Sequence, residues 1–579
     1  MTNLEIADTL ESVADLLEIQ GANPFRTRAY RNAVRTIEGL TRSLSAMVAA
    51  GEDVTVLPGV GKEMGRHIHE MVETGALSLL DELCQTTPLS LVRLTRLPGV
   101  GPKKAAALFE ALGVETPEAL EAEIRAGRVE LVPGFGKKSC EKILRGIGEQ
   151  REIRSRFLRV EAERLVAPLQ EWVAEAPGVE RVEVAGSLRR KRETIGDVDL
   201  LAQAAEGGIV VERFVAFPGA ASVEASGPTK GSIVLRSGLQ VDLRVIPAES
   251  WGAALHYFTG SKEHNVAVRQ RAQRLGRKVS EWGVFEVGED GAEGARIAGA
   301  TEAEVFGALG LPWIAPELRE NRGELEAALE GRLPSLLTLE AMKGDLQMHS
   351  TWSDGKYTIR QMADAARERG YEYIAITDHS PALSMVQGLT PARAREQWEE
   401  IERVRDEVDG IHVLRSLEVD ILKDGTLDMD DDVLEGLDLV LVSIHSFMDM
   451  ERDAQTERVL RALAHPAVDV WAHPTGRLLN RRKPVDLDME RVLGACVEHD
   501  VAVEINASPN RLDLSDVHAL RARQLGLKLT ISTDAHTIRE LDNMRHGVDQ
   551  ARRAWLEPAD VLNTRSLDDF MAWVRRPRA

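Results

Sequence analysis

At 579 residues the chain is several times longer than one ordinary domain and reads as about four. Its 43% hydrophobic content suffices for ordinary cores, and no run approaches the ~18 apolar residues of a membrane span, so no membrane partner is expected. The formal charge of −21 argues against one large nonspecific nucleic-acid surface and leaves room only for local basic clusters. Cys84, Cys140 and Cys496 are too few and too far apart for a disulfide framework or a cysteine zinc site. The acidic, amphipathic opening MTNLEIADTLESVADLLEIQ is not a signal peptide, so the expected location is the cytoplasm.

Residues 1–80 and 81–150 read as two helical units that share a recurring element. It appears as Leu57-Pro-Gly-Val-Gly-Lys62, Leu97-Pro-Gly-Val-Gly-Pro102 and Val132-Pro-Gly-Phe-Gly-Lys137, each followed by a helical pattern. A helix, a tight glycine turn and a second helix expose backbone amides to a phosphate oxygen. The glycines concerned are Gly59 and Gly61, Gly99 and Gly101, Gly134 and Gly136, with Lys62 beside the first pair. The element resembles helix-hairpin-helix motifs, which grip DNA backbones without reading sequence. Arg26, Arg28, Arg31 and Arg35, then Arg151, Arg154, Arg156 and Arg159, supply local basic clusters.

From about residue 160 helix gives way to strands, and GSLRRKRETIGDVDLL, residues 186 to 201, is the most informative stretch of the chain. A strand's period of two sends Asp197 and Asp199 to one face and Val198 and Leu200 to the other. A second alternating run, Leu239 to Ile246, carries Asp242 on its polar face. Three carboxylates on neighbouring strands can hold two Mg²⁺, one polarising a 3′-hydroxyl and one clamping a triphosphate. Upstream, Gly186 and Ser187 before Arg189 and Arg190 offer amides, a hydroxyl and guanidinium forks suited to polyphosphate. A mixed segment runs from 250 to 318, and Glu317 to Leu339 reads as a helix and linker.

Beyond Met342, near-continuous apolar strands each end in a ligand-type residue: Tyr371–Thr377 into Asp378-His379, Leu437–Ser443 into His445, Val468–Trp471 into His473, and Leu527–Thr533 into Asp534-Ala-His536. Such strands separated by helices point to a parallel barrel with its site at the carboxyl ends of the strands. Candidate ligands are His349, Asp354, His379, Glu418, His445, His473, Asp534 and His536, enough for two or three ions of Mn²⁺, Zn²⁺ or Fe²⁺. Such a cluster makes hydroxide near neutral pH and polarises a phosphoryl oxygen, so phosphoester hydrolysis is its natural chemistry.

These motifs carry a family resemblance. Asp345-Leu-Gln-Met-His349, Thr377-Asp-His379, Glu418, Ser443-Ile-His445, His473-Pro474 and Thr533-Asp-Ala-His536 resemble the polymerase and histidinol phosphatase (PHP) domain, a distorted seven-fold (βα) barrel. The family often opens with His-x-His; here Gln347 replaces the first, which implies a third metal that is weak or absent. The preceding part is similar to family X DNA polymerases. Gly186-Ser187, Arg190 and Gly196-Asp197-Val-Asp199 match the palm signature, Asp242 its third carboxylate, and Tyr257-Phe258-Thr-Gly260-Ser its nucleotide-binding turn. By that resemblance Ser187 and Arg190 contact triphosphate, Asn265 the incoming nucleotide and Arg269 the template. Tyr30 and Arg31 match a 5′-phosphate site, and His67 stands where the family's Schiff-base lysine is expected. Imidazole cannot form that imine, so lyase activity is expected only if Lys62 substitutes.

The implied architecture is multidomain, α+β and α/β: a lyase-like helical domain over 1–80, helix-hairpin-helix fingers over 81–150, a nucleotidyltransferase palm over 151–249, a thumb over 250–318, a linker over 319–340 and a PHP barrel over 341–579. The order resembles that of the bacterial PolX family. It implies a monomeric, nucleoid-associated DNA polymerase that fills short gaps in repair with Mg²⁺ or Mn²⁺, taking gapped or nicked DNA and deoxynucleoside triphosphates. The barrel would add 3′ to 5′ exonuclease, with abasic-site endonuclease or 3′-phosphatase activity alongside. The alternatives are the same polymerase with the barrel as a structural metal module, a noncatalytic DNA-end scaffold, and a small-molecule phosphatase.

Overall fold

The computed structural model describes residues 3–38, 44–49, 51–57, 59–95, 97, 99–154, 156–288, 290–383 and 386–575. The chain divides into two compact units, one of Met1–Arg154 with 384–386 and one of Ser155–Leu383 with Gln387–Ala579. Among the described residues no helix is long and apolar enough to cross a membrane.

Among the described residues the first unit is built of helices and turns, with one core around Ile6, Leu10, Tyr30, Ile37 and Ile68 and another around Leu91, Leu108, Leu120 and Ile143. Each hairpin turn is pinned by the residue between its glycines. Val60, Val100 and Phe135 are buried, while Gly59, Gly99 and Gly134 take positive φ values of 74°, 87° and 91° that an L-side chain rarely adopts. Pro58 and Pro98 of the repeated element lie outside the described residues.

The second unit opens with a five-stranded sheet formed by β1 (Val179–Val184), β2 (Asp197–Ala204), β3 (Ala220–Ser226), β4 (Lys230–Leu235) and β5 (Gln240–Ile246), in the spatial order β1-β2-β5-β4-β3. β2 and β5 run parallel; the other pairs are antiparallel. Val198, Leu200, Val241 and Leu243 face the core shared with the helix Arg159–Ala174, which leaves the intervening acids on the open face. Helices Trp251–Thr259 and Lys262–Arg274 follow, then a small antiparallel sheet of β6 (Arg277–Ser280), β7 (Gly283–Val287) and β8 (Glu293–Ala298). The segment expected as a linker is tightly fastened: Arg319 is fully buried, and Leu337 N donates to Leu556 O at 3.0 Å.

The remainder is a seven-stranded parallel sheet in sequence order: β9 (Gly344–Met348), β10 (Tyr373–Ile376), β11 (His412–Asp420), β12 (Leu439–Ser443), β13 (Val470–Trp471), β14 (Ala502–Asn506) and β15 (Leu529–Ser532). A bridge between Met348 and Ala535 brings the first and last strands together, so the sheet curls into a nearly closed (βα)7 barrel, as expected. Both faces of each strand are buried, one against helices and one inside, which explains the near-continuous apolar runs. Helix Leu567–Val574 plugs the amino end. Its Phe570 stacks on Tyr373 with ring centroids 5.0 Å apart, among Leu439, Val470 and Ala502, which also begin their strands. That plug leaves the carboxyl ends of the strands for chemistry.

Candidate functional site

The first constellation follows from register. Parallel pairing sets Asp199 opposite Asp242, with Asp197 two residues earlier on the same face of β2. Burial, then the charges of Asp197 and Asp242, push the Asp199 carboxyl up to about 6, against the pull of Arg244 and Arg190. A group of like charges with few internal cations is a site built for an external one. Gly186 comes so close that a Cβ there would lie 2.6 Å from Asp199 Oδ2, and its φ is +58°, so the glycine is required twice over. Asp197, Asp199 and Asp242 are thus gathered as the sequence predicts, and their oxygens fit hard divalent cations.

The two arginines after Ser187 divide their work. Arg189 is committed to structure, donating through Nη1 and Nη2 to the two oxygens of Glu302, at 2.8 Å each. Arg190 donates from Nη1 to Thr259 O at 2.8 Å and from Nε to Glu320 Oε1 at 3.0 Å, while its charge reaches Asp199. The expected nucleotide turn is a helix junction: Tyr257, Phe258 and Thr259 end one helix, and Ser261 caps the next. Asn265 Nδ2 donates to Tyr257 O at 2.7 Å, which leaves its buried Oδ1 without a protein partner beside Gly260. Arg269 is exposed, with Nε donating to Asn265 O. Gly196 lies against Arg156 Nη1. Arg244, which the sequence reading passed over, stands two residues beyond Asp242 and lies 4.4 Å over the Phe258 ring.

At the barrel's carboxyl end all eight expected ligands converge. His349, Asp354, His379 and His536 form one group, His379, Glu418 and His445 a second, and His349, Glu418 and Asp534 a third, each with donor atoms within 4.8 Å of one another. His473 joins through Nε2, 2.6 Å from Glu418 Oε1. Burial opposes charge on Glu418, but the imidazoles of His445, His473 and His379 outweigh it and hold its carboxyl well below the usual range. His349 Nδ1, His379 Nδ1, His473 Nδ1 and Glu418 Oε2 are buried without a hydrogen-bond partner. Orphaned donor atoms among these converging ligands fit metal ions. Gln347, two residues before His349 on β9, is fully buried, and both its polar side-chain atoms lack partners.

The supporting residues lie outside the expected ligand set. Asp420 Oδ1 accepts from His445 N at 3.0 Å and lies 3.2 Å from His445 Nδ1, orienting that ring as second carboxylates do at metal centres. Asp378 accepts from Ser350 N, Ser350 Oγ and Gln397 Nε2, so it ties the loop after β9 to that after β10. Glu504 is buried, its carboxyl pushed well up by burial, and it accepts from His473 N at 2.7 Å. Glu504 lies inside β14, where no spacing rule marks it, whereas Asp420 ends β11 and the strand-end pattern is the signal that points to it.

In the helical unit Gly61, Gly101 and Gly136 face open space: a Cβ on any of them would meet no atom within 4 Å. Lys62 is exposed beside the first turn. Tyr30 is buried, its hydroxyl 3.1 Å from His67 Nε2, and burial followed by the Glu63 charge pushes its pKa up to about 12. Arg31 pairs with Asp15 at 3.4 Å and with Glu18, Arg26 with Glu63 at 3.2 Å, and Arg159 is buried against Asp549. Three members of the expected basic clusters, Arg26, Arg31 and Arg159, are therefore answered by the protein's own acids. The side chains of Arg35, Arg151 and Arg154 lie outside the described residues.

Family models match along the chain: a helix-hairpin-helix domain at 1–77, a SAM-like helix-hairpin-helix tandem at 91–149, a DNA polymerase beta thumb at 254–320 and a PHP domain at 345–508. The chain is 40% identical over 578 residues to the DNA polymerase/3′-5′ exonuclease PolX of Bacillus subtilis, covering 100% of both chains. It is 25% identical to DNA polymerase lambda of Rattus norvegicus over 55% of this chain and 56% of that one. A probable phosphatase of Thermoanaerobacter sp. strain X514 is 27% identical over 38% of this chain and 89% of its own. With an acidic triad on adjacent parallel strands, a histidine-rich centre at the mouth of a seven-stranded barrel, and full-length likeness to one relative, the chain belongs to the bacterial PolX branch of the family X DNA polymerases, which joins a polymerase to a PHP domain.

Proposed function

We propose that the chain is a DNA repair polymerase that fills short gaps by nucleotidyl transfer at Asp197, Asp199 and Asp242, and that its barrel trims 3′ ends by phosphodiester hydrolysis. The observation that carries the first half is the register pairing of Asp199 with Asp242, which gathers three acids whose mutual repulsion a divalent cation relieves. Mg²⁺ or Mn²⁺ held there would neutralise the charge that gathers on the triphosphate during transfer. Asp242 accepts the proton of the primer 3′-hydroxyl, whose oxygen bonds to the α-phosphorus as pyrophosphate leaves. Ser187 and Arg190 hold the triphosphate, Asn265 Oδ1 faces the incoming nucleotide, and Arg269 meets the template. The outward glycines of the three hairpins offer amides to DNA phosphates.

The eight barrel ligands would hold two or three ions of Mn²⁺, Zn²⁺ or Fe²⁺, which would supply a hydroxide nucleophile near neutral pH. His349, His379 and Glu418 fix that centre, and Asp420 holds the His445 ring in place. The barrel-only likeness to probable phosphatases supports removal of 3′-phosphates at the same centre. His67 lacks the primary amine an imine needs and its ring is engaged with Tyr30, so deoxyribose phosphate lyase activity would fall to Lys62 or be lost. The enzyme works as a monomer on nucleoid DNA in the cytoplasm.

The test is a gapped, primer-labelled duplex with Mn²⁺, with and without nucleotides, comparing wild type with Asp197→Ala/Asp199→Ala and with His379→Ala/His445→Ala. Loss of extension only in the first and loss of 3′ shortening only in the second is the expected result. Shortening that survives the histidine changes would make the barrel a structural metal domain.

A further inference from the structure

The polymerase palm and the barrel meet at a buried chain of charges that ends on Arg190. Arg553, the last residue of the barrel helix Met544–Arg553, is 2% exposed. Its Nη1 donates to Arg190 O at 2.6 Å and to Glu320 Oε1 at 3.0 Å, and its Nη2 donates to Asp516 Oδ2 at 2.6 Å. The same Glu320 oxygen accepts from Arg190 Nε at 3.0 Å, and Arg192 Nη1 stands 3.8 Å away. Asp516 in turn pairs with Arg322 at 3.0 Å. Glu320 is therefore one carboxylate shared between a palm arginine and a barrel arginine. It is pulled below the usual range by Arg553 and Arg190 despite burial.

Nucleotide phosphates must compete with Glu320 for the Arg190 guanidinium. The side chains of Arg190 and Glu320 are only 12% and 9% exposed, so water screens that competition weakly. A carboxylate satisfied by a second guanidinium holds the first less tightly, and a donor on the Arg190 carbonyl fixes the loop from which the side chain springs. We infer that Arg553 is a positioning residue for triphosphate binding: by sharing Glu320 and anchoring the Arg190 carbonyl, the barrel loosens the hold of Glu320 on the Arg190 guanidinium and leaves it able to turn to nucleotide phosphates. This rests on the reading of Arg190 as a triphosphate contact. It makes the barrel a working part of the polymerase, independent of its own metal centre.

The sign of two substitutions separates this role from a merely structural one. In Arg553→Met, Glu320 turns wholly to Arg190, so the KM for nucleotide in single-gap filling rises about fivefold while kcat stays within about twofold. In Glu320→Gln the competitor for Arg190 is weakened, and KM falls below the wild-type value. The double variant Arg553→Met/Glu320→Gln returns KM to within about twofold of wild type. Arg553→Lys keeps the charge with fewer bonds and lies between wild type and Arg553→Met. All are measured in the full chain with Mn²⁺, with thermal unfolding and 3′ shortening recorded alongside. If Arg553→Met does not fold, Glu320→Gln and Arg553→Lys still carry the signs. An unchanged KM in Arg553→Met, a raised KM in Glu320→Gln, or a double variant as impaired as Arg553→Met overturns the inference. Arg190→Ala is the control for its foundation: it should raise KM well beyond any of these, and an unchanged KM there would overturn the triphosphate reading itself.

Discussion

The palm and barrel centres solve one problem, holding divalent cations against phosphate, by opposite electrostatics. In the palm three carboxylates crowd together, and Asp199 is pushed up toward about 6, chiefly by burial and then by its acidic neighbours. In the barrel each carboxylate is ringed by imidazoles, and Glu418 stays well below the usual range although it is completely buried. A cation entering the palm relieves repulsion but competes with a proton, and the strand face stays open to solvent. A cation in the barrel meets a prearranged set of nitrogen and oxygen donors from every side. The difference teaches that palm metals should come and go with the nucleotide, while barrel metals should be resident.

The sharpest way to break this contrast is to empty each centre separately. Asp197→Ala/Asp199→Ala should lower primer extension on the order of 10³-fold or more and leave 3′ shortening and barrel metal content unchanged. Coupled loss of both activities in that variant would sink the separation. Glu418→Gln removes the carboxylate common to two of the barrel's ligand groups. It should cost roughly 10²-fold or more in nuclease rate and release metal, as elemental analysis of the purified protein would read.

A smaller effect is expected one layer out. Asp420→Asn keeps the shape but weakens the acceptor facing His445 Nδ1, and should reduce barrel metal affinity about 10- to 100-fold in a chelator competition. No change would mean that His445 is oriented by packing alone.

The mildest prediction is a pH dependence. Asp199 carries a raised pKa, so a metal-free palm holds a proton below about 6 that an incoming cation must displace. Mg²⁺ affinity should climb about tenfold per pH unit up to about 6 and flatten above it. By the same sign, the metal-free palm is favoured while Asp199 keeps its proton, and that advantage is lost as pH rises through about 6. In the barrel, although burial opposes it, Asp354 and Asp534 push the His536 imidazole up to about 10, so barrel metal affinity should keep climbing past pH 6 instead of flattening there, and a shared inflection at about 6 would erase the contrast.

Much of this was readable without coordinates, for a local reason. Period-two alternation put Asp197, Asp199 and Asp242 on polar strand faces, glycine spacing marked the hairpins, and every barrel strand but β14 leads to a ligand at or near its carboxyl end. These signals live within a few residues, where backbone geometry alone decides which way a side chain points. What needed the tertiary structure was every choice made through space. Residue type alone makes Arg189 and Arg190 equals and only the family resemblance singles out Arg190; the physical reason lies in space, where Glu302, 113 residues away, takes Arg189 and leaves Arg190 near the acids. It offers no sign that Arg553 reaches Arg190 across 363 residues, or that Glu504 supports His473 across 31. Coulomb interaction and burial depend on distance in space, which spacing along the chain does not encode. The ligands were thus written locally, while the partners that tune them were chosen by the fold.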